Sequence, residues 1–331
     1  MKNKWIWGLV VIVVIVAGAW YLVPKNNPTS APKTTKIKVA DVSTIFGLPF
    51  YMAIEKGYFK EAGLDVELVR LDSVSQVVDS TMNGQVEFGS VAAIGTAAVA
   101  DFKNPGKANI FMIAGGDKII PNDTLIVKMN SGIKSINDLK GKKLGIFPGL
   151  QTKTISKYIL EQNGLVADKD VQVIELAPSL QIQALGSGQV DALYTVEPLV
   201  TVAKQKGLGT ELIHAFTAEY ISDPFYGVAS LVNTNFAKNN PETVAKFIEV
   251  INRSTKEIEQ NPESARQYLL GYTQVDKTLV SFVPILKFKL VNNLSPQDMA
   301  SAQKLLDIYS NYKIVDGKMD FQKLLYSSTS K

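Results

Sequence analysis

Residues 82–88 read MNGQVEF, and residues 186–192 repeat that pattern in outline as GSGQVDA. In each copy a helical stretch runs into a glycine, which is followed by Gln, Val, an acid and a short apolar strand. A glycine at such a junction is typical of the left-handed residue that ends a helix. Single junctions of this kind are common in α/β proteins, but their recurrence favours two lobes of similar construction. The space between two lobes is a preferred place for a small-molecule site.

Outward from these junctions, β-rich runs alternate with amphipathic helical stretches from Ile37 onward. The predicted strands are 37–42, 66–71, 109–114, 124–128, 143–147, 171–176, 192–196, 211–216 and 227–233. The predicted helices are 48–62, 74–83, 92–102, 152–163, 180–186, 197–206, 241–260, 262–270 and 296–311. Gly63 and Gly164 are predicted to end helices in the left-handed conformation. The alternation predicts α/β architecture with mostly parallel sheets.

The composition of the 331 residues excludes several kinds of chemistry, because the chain has no Cys and one His, His214. Without Cys there is no disulfide, thiolate zinc site, iron–sulfur cluster or thiol nucleophile. One imidazole cannot supply a typical catalytic zinc site, and the sequence contains neither HExxH nor GxSxG. The sequence therefore predicts no metal and no cofactor.

The net charge of +4 belongs to the N-terminus. Residues 1–38 carry six of the 35 basic residues and none of the 31 acidic ones, so the remainder is slightly acidic. A body of this charge offers no basic surface for a phosphate backbone, and we expect no nucleic-acid partner.

Residues 5–23 (WIWGLVVIVVIVAGAWYLV) are uncharged and mostly apolar. As a helix they would extend roughly 28 Å, about the thickness of a hydrocarbon core. Trp5 and Trp7 lie at one end and Trp20 and Tyr21 at the other, where aromatic rings favour the headgroup layer. We therefore predict a transmembrane signal-anchor within residues 1–23. The alternative is a cleaved signal peptide, since residues 17–19 (AGA) resemble a cleavage site.

Residues 24–36 are polar and rich in Pro, Thr, Asn and Lys, which is typical of a flexible linker. Because Lys2 and Lys4 precede the apolar stretch, the positive-inside rule places the body on the extracytoplasmic face of the cell membrane. Cleavage would instead make the protein secreted or periplasmic. A lipidated Cys is excluded as a tether, so the predicted helix would be the membrane contact.

Three motifs in the body resemble the nitrate/sulfonate/taurine family of substrate-binding proteins of ABC transporters, which also includes binders of thiamine precursors. The first is residues 48–67 (LPFYMAIEKGYFKEAGLDVE), a helix-to-strand element. The second is the pair formed by residues 83–91 (NGQVEFGSV) and 188–198 (GQVDALYTVEP). The third is residues 138–146 (DLKGKKLGI), at the start of the second lobe. Their combination in this order is specific, whereas each motif alone is weak.

The resemblance implies a two-lobed type II periplasmic-binding-protein fold with a ligand cleft between the α/β lobes. Lobe one would comprise residues 37–125 and 229–331, and lobe two residues 126–228 including the crossover segments. It also implies a monomer that captures a small solute by lobe closure and delivers it to an ABC permease and ATPase. We expect a small organic anion of the sulfonate, taurine or nitrate type. A thiamine-precursor pyrimidine or other small heteroaromatic, and a sensory module without a transport role, are the alternatives.

Three turns before predicted helices supply six candidate ligand-binding residues. Helix N-termini present free N–H groups and partial positive charge, which suit anionic groups. The six residues are Thr44, Phe46, Ser90, Val91, Gln151 and Thr152. Ordinary N-capping is the alternative role of the Ser and Thr hydroxyls. Residues 147–154 (FPGLQTKT) also depart from the GS/GT-like turn of the family, so different side chains would make that contact.

Three more candidates follow from the resemblance and from local pattern. Glu197, in the Glu-Pro pair that the family places at the cleft, would accept a hydrogen bond from a ligand amine or ring N–H. Asp117 follows two glycines after a predicted strand, and Tyr226 lies with Phe225 at the expected cleft edge. Their alternative roles are helix-dipole stabilisation, turn capping and core packing. The pyrimidine-synthesising enzymes that share the fold depend on a Cys-rich motif and His. The chain lacks that motif, and we expect no enzymatic activity.

Overall fold

The computed structural model describes residues 34–327. Its strands are β1 Thr35–Asp41, β2 Leu64–Arg70, β3 Phe88–Ala93, β4 Ala108–Gly116, β5 Asp123–Lys128, β6 Lys143–Ile146, β7 Gln172–Glu175, β8 Ala192–Val196, β9 Gly209–Ile213, β10 Phe225–Asn233 and β11 Lys287–Leu290. They form two sheets, with strand orders β11-β4-β10-β3-β1-β2 and β7-β6-β8-β5-β9.

Helices cover the sheets. The α-helices are α1 Leu48–Glu55, α2 Tyr58–Glu61, α3 Val74–Met82, α4 Ile94–Lys103, α5 Leu150–Gln162, α6 Pro178–Ser187, α7 Leu199–Gln205, α8 Phe216–Tyr220, α9 Thr234–Asn239, α10 Pro241–Gln260, α11 Pro262–Ala265 and α12 Pro296–Asn311. Short 3₁₀ helices span Ile45–Gly47, Ile136–Leu139, Arg266–Leu269, Val280–Phe282, Val291–Asn293 and Phe321–Leu324.

The near-repeat corresponds to equivalent positions in the two sheets. In the first sheet β1 pairs in parallel with β2 and β3, and in the second β6 pairs in parallel with β7 and β8. Gly84 and Gly188 both adopt positive φ, 69° and 78°, shortly before β3 and β8. The third strand of each set also pairs with an antiparallel strand, β10 for β3 and β5 for β8. The repeated sequence pattern therefore corresponds to a repeated arrangement of strands in the two sheets.

We call the first sheet with its helices lobe one, and the second sheet with its helices lobe two. Strand pairing shifts both expected boundaries. The sequence assigns residues 123–125 to lobe one, but they begin β5, which pairs with β8 and β9. It assigns residues 225–228 to lobe two, but they begin β10, which pairs with β3 and β4. The chain therefore passes between the lobes just before Asp123 and just before Phe225.

Several predicted elements change at their ends. Gly63 and Gly164 adopt the left-handed conformation, each with φ of 74°, as predicted. The predicted helix 48–62 is two helices, since Gly57 interrupts it with φ of 72°. The predicted helix 92–102 begins later because the short strand that the near-repeat predicts after residue 87, β3, extends through Ala92 and Ala93. The sequence does not predict strand β11, which forms one edge of the first sheet.

The N-terminal predictions fall largely outside the described residues. The transmembrane span within residues 1–23 and the linker up to residue 33 lie there. The expected linker ends too late, because Thr35 and Lys36 already belong to β1. Within residues 34–327, no helix combines the length and the apolarity needed to cross a bilayer.

Candidate ligand-binding site

A cavity of about 70 Å³ lies between the two lobes. It is lined by Val42, Thr44, Phe46, Val74, Val91, Ala93, Asn122, Asp123, Phe147, Gln151, Thr152, Tyr194, Val196, Phe225 and Val228. Most of these residues end or follow the parallel strands β1, β3, β6 and β8, or begin the crossover strands β5 and β10. Ligands of α/β proteins bind outside the carboxyl ends of parallel strands, so both sheets direct their binding edge at this cavity.

Five of the nine candidate residues line the cavity. They are Thr44, Phe46, Val91, Gln151 and Thr152, whereas Ser90, Asp117, Glu197 and Tyr226 do not. Typical small-molecule pockets measure about 300–1,000 Å³. The present cavity therefore accommodates only a very small solute unless the lobes part.

Thr44 precedes the 3₁₀ helix Ile45–Gly47 without capping it through its side chain. Thr44 is buried, and its Oγ1 has no hydrogen-bond partner in the structure. A buried hydroxyl without a partner is destabilising unless another group satisfies it. Thr44 therefore does not play the N-capping role that was the alternative to ligand binding, and its Oγ1 is available to a ligand.

Ser90 lies behind the cavity wall. Its hydroxyl contacts Oδ1 of Asp41 and the Ala40 carbonyl, the latter at 3.1 Å. Asp41 Oδ2 accepts hydrogen bonds from Arg70 and from the Tyr51 hydroxyl. Burial raises the pKa of Asp41 to about 6, although Arg70 and the two hydroxyls oppose that shift. Ser90 therefore stabilises a buried carboxylate in lobe one.

Asp117, another candidate that does not line the cavity, has structural partners. Asp117 Oδ1 accepts hydrogen bonds from the backbone N–H groups of Ile119 and Ile120, and its Oδ2 pairs with Lys287. These contacts, together with the attraction of Lys287, keep the pKa of Asp117 below its usual value although burial opposes this. Asp117 thus caps the turn before the crossover.

Glu197 and Tyr226 each adjoin a lining residue. Glu197 is joined to Pro198 by a cis peptide bond, and its Oε2 accepts a hydrogen bond of 2.9 Å from the Thr201 N–H. Burial raises the pKa of Glu197 to about 7. Tyr226 lines a separate surface groove of lobe one, where Lys289 Nζ lies 5.6 Å from its ring centroid. Because side chains alternate along a strand, its neighbour Phe225 lines the cavity instead.

Gln151 and Thr152 begin helix α5 of lobe two. Thr152 Oγ1 donates to the carbonyls of Phe147 and Gly149, at 2.6 and 3.1 Å, and so fixes the turn that leads into the helix. Gln151 Nε2 donates to the Gly227 carbonyl, and Gln151 Oε1 accepts from the Gly95 N–H, both at 2.8 Å. Since both partners belong to lobe one, this side chain joins the lobes.

Sequence reasoning missed Asn122 and Asp123, which are the main polar groups of the lining. Asp123 is 2% exposed and accepts hydrogen bonds from the N–H and hydroxyl of Thr217 at 2.9 and 2.8 Å. Asn122 Nδ2 also donates to Asp123 Oδ2 at 2.8 Å, whereas Asn122 Oδ1 is buried without a partner. Burial raises the pKa of Asp123, although its hydrogen bonds oppose the shift.

The rest of the lining is apolar or aromatic. Phe46, Phe147, Tyr194 and Phe225 contribute rings, and the Tyr194 hydroxyl lies 3.4 Å from Asp123 Oδ2. No Lys, Arg or His is among the lining residues. Within residues 34–327, no group of three or more Asp, Glu or His side chains is arranged to hold a metal ion. The cavity thus combines an apolar wall with one carboxylate and two unpartnered polar oxygens.

Comparison with protein families identifies residues 47–265 as a match to the family described as NMT1/THI5 like. Over 286 residues the chain is 27% identical to a putative aliphatic sulfonates-binding protein of Bacillus subtilis, covering 84% of this chain and 82% of that protein. It is also 27% identical over 238 residues to a 4-amino-5-hydroxymethyl-2-methylpyrimidine phosphate synthase of Aspergillus parasiticus, covering 67% of this chain and 66% of that enzyme.

The fold matches that of a solved binding protein. The alkanesulfonate-binding protein SsuA of Xanthomonas axonopodis pv. citri, bound to MOPS, superimposes with a TM-score of 0.72 at 16% identity. The match covers 89% of this chain and 99% of that protein. The two-sheet α/β architecture is therefore that of periplasmic substrate-binding proteins.

Proposed function

The chain belongs to the NMT1/THI5-like family, and from this we propose that it is the extracytoplasmic solute-binding component of an ABC importer. The cavity between the lobes would hold a small solute after lobe closure, and the closed lobes would present it to a permease and its ATPase. The observation that carries this proposal is the meeting of both sheets' binding edges at one cavity. Thr44, Phe46, Val91, Gln151 and Thr152 stay as proposed ligand-binding residues, joined by Asn122 and Asp123.

The charge of the lining bears on the ligand class. The sequence favours a small organic anion. The cavity, however, is lined by the acidic side chain of Asp123 and by no cationic side chain. Two like charges 4 Å apart repel by roughly 4 kcal/mol at an effective dielectric constant near 20. An ionised Asp123 would therefore disfavour an anion. The lining instead favours a neutral or cationic ligand, in agreement with the heteroaromatic alternative.

The two oxygens without a hydrogen-bond partner indicate which hydrogen-bonding groups the ligand should carry. Asn122 Oδ1 accepts hydrogen bonds only, so it requires an N–H or O–H donor. Thr44 Oγ1 both donates and accepts, and therefore constrains the ligand less. The aromatic rings of the lining favour a flat, apolar body. We propose a compact, donor-bearing ring compound without net negative charge.

A binding screen on the full chain separates the two ligand classes. Thermal shift and calorimetry would compare methanesulfonate, taurine and nitrate with 4-amino-5-hydroxymethyl-2-methylpyrimidine and related aminopyrimidines. We expect stabilisation by members of the second set. Stabilisation by the anions alone would overturn the ligand class, and no stabilisation by either set would count against a solute-binding role.

A variant locates the binding to the cavity. Asn122→Ala removes the acceptor that the ligand donor needs and should weaken binding about tenfold or more. The matched control is Asn292→Ala, because Asn292 is exposed and lies outside the cavity lining. Equal affinity of the two variants would place the ligand elsewhere.

Two further points of the proposal have direct tests. Membrane attachment through residues 1–23 predicts that the membrane fraction contains the intact chain, and a measured mass lacking residues 1–19 would contradict it. Binding without synthesis predicts that the chain does not restore the growth of a cell that cannot make 4-amino-5-hydroxymethyl-2-methylpyrimidine phosphate. Restored growth would support the enzymatic reading that the name of the Aspergillus parasiticus relative suggests.

A further inference from the structure

The side chain of Gln151 connects lobe two to lobe one at the cavity wall. Its amide hydrogen bonds to the Gly95 N–H and the Gly227 carbonyl are both buried and both 2.8 Å long. Gly95 lies in the first turn of α4 and Gly227 in β10, so both partners are backbone groups of lobe one. Gln151 itself is 8% exposed and lines the cavity.

The partners fix the orientation of this amide. A carbonyl only accepts and an N–H only donates, so Nε2 must face Gly227 and Oε1 must face Gly95. Gly95 N–H is one of the N-terminal helix donors that lack a partner within their own helix. The close approach leaves little room at 227, where a Cβ would lie 3.1 Å from Gln151 Nε2 and 2.6 Å from the Phe225 ring.

We propose that Gln151 is a latch that keeps the lobes closed over the cavity even without ligand. The inference rests on the proposed function only in taking the cavity as the ligand site. Parting the lobes breaks both hydrogen bonds at once, and the ligand can pass only when they are broken. Gln151 thereby positions lobe two against lobe one and slows both binding and release of the solute.

A second interlobe contact provides a contrast. Farther along α5, Glu161 accepts a hydrogen bond from the Tyr312 hydroxyl of lobe one, and Lys157 Nζ lies 4.8 Å from the Tyr312 ring centroid. The Lys157 and Glu161 side chains are 51% and 36% exposed. Exposed charged contacts contribute little, because water replaces them at small cost. The buried amide of Gln151 is therefore the stronger restraint on opening.

Single-molecule fluorescence on the ligand-free full chain tests the latch. The chain contains no Cys, so Lys60→Cys in lobe one and Lys169→Cys in lobe two, both exposed, provide unique dye sites. The readout is the ratio of the time that single molecules spend at a longer interlobe distance to the time at the shorter one, so even a small open population is counted. Because no ligand is added, the result does not depend on the ligand class or on transport.

The latch variants are Gln151→Ala and Gln151→Met, of which the second keeps most of the side-chain volume. Each should raise the ratio of open to closed molecules roughly 10- to 30-fold, which corresponds to the loss of two ordinary buried hydrogen bonds. Gln162→Ala is the matched control, since Gln162 is exposed on the same helix. Circular dichroism checks that each variant is folded. If only one of the two latch variants folds, its result alone tests the proposal. A mostly open wild type, or latch variants that open no more often than the control, would overturn the proposal.

Discussion

Two buried aspartates near the cavity, one in each lobe, are held in opposite ways. Asp41 ends β1 of lobe one and is paired with Arg70, which also lies 5.2 and 5.4 Å from the ring centroids of Tyr51 and Tyr272. Asp123 begins β5 of lobe two and is hydrogen-bonded to neutral donors. Burial raises the pKa of both carboxyls.

The difference shows which lobe determines the charge of the cavity. The charge of Asp41 is balanced inside lobe one by Arg70, and Asp41 does not line the cavity. Asp123 does line it, and its hydrogen bonds disperse the negative charge without cancelling it. A ligand would therefore meet the carboxylate of lobe two and not that of lobe one. The variants below test this contrast.

Removal of the Asp123 carboxylate should have the largest effect on stability. Asp123→Ala leaves the N–H and hydroxyl of Thr217 and the Asn122 amide without their acceptor. Each unsatisfied buried donor costs about 1–3 kcal/mol, and the adjoining cavity admits water that recovers part of this. We expect the free energy of unfolding in urea to fall by roughly 3–4 kcal/mol.

The control for this variant is Asp79→Ala, since Asp79 is exposed on α3. It should change the free energy of unfolding by less than about 0.5 kcal/mol, as surface substitutions generally do. An equal loss in the two variants would mean that the hydrogen bonds of Asp123 contribute nothing specific.

The pH dependence of stability should carry the signature of Asp41. Its pKa is raised from 3.8 to about 6 in the folded protein, so the folded state binds this proton more tightly than the unfolded state. The resulting stabilisation is complete below pH 3.8 and is lost as the pH rises through about 6. Asp41→Asn removes this titration. The free energy of unfolding of the wild type, minus that of the variant, should fall by about 2–3 kcal/mol between pH 4 and 7.

Urea unfolding at several pH values measures this difference directly. A difference that stays constant, or that rises with pH, would show that Arg70 outweighs burial and holds the pKa of Asp41 at or below 3.8. Asp41 would then be an ordinary ion-pair carboxylate, and the contrast with Asp123 would become sharper.

The sequence predicts elements whose signals are local, such as the glycines that end helices at 63 and 164. It also predicts the paired organisation of the sheets, because residues 82–88 and 186–192 both record a helix–glycine–strand junction. It does not predict Asp123. In the sequence, residues 121–124 (PNDT) are typical of a surface turn. The burial of Asp123 depends instead on Thr217, a tertiary contact that no local pattern records.

Ser90 shows how an error in predicted secondary structure changes the role expected of a side chain. The sequence treats residues 89–91 as a turn before a helix, whereas they lie inside the buried strand β3. Side chains alternate across a strand. Val91 and Ala93 therefore line the cavity, while the Ser90 hydroxyl is directed at Asp41. The extension of β3 through residues 89–93 thus separates the roles of Ser90 and Val91.

The smallest expected effect belongs to Ser90→Ala. The variant removes one of the hydrogen bonds that lower the pKa of Asp41, so that pKa should rise further above 6. At pH 7, where the carboxylate is ionised, the free energy of unfolding should fall by about 1 kcal/mol, and by less at pH 4.5. Ser264→Ala, at an exposed serine, provides the matched control. Ligand affinity should stay unchanged, because Ser90 does not line the cavity. A loss of affinity without a change in the pH profile would instead make Ser90 a ligand contact, and the charge of lobe one would then reach the cavity as well.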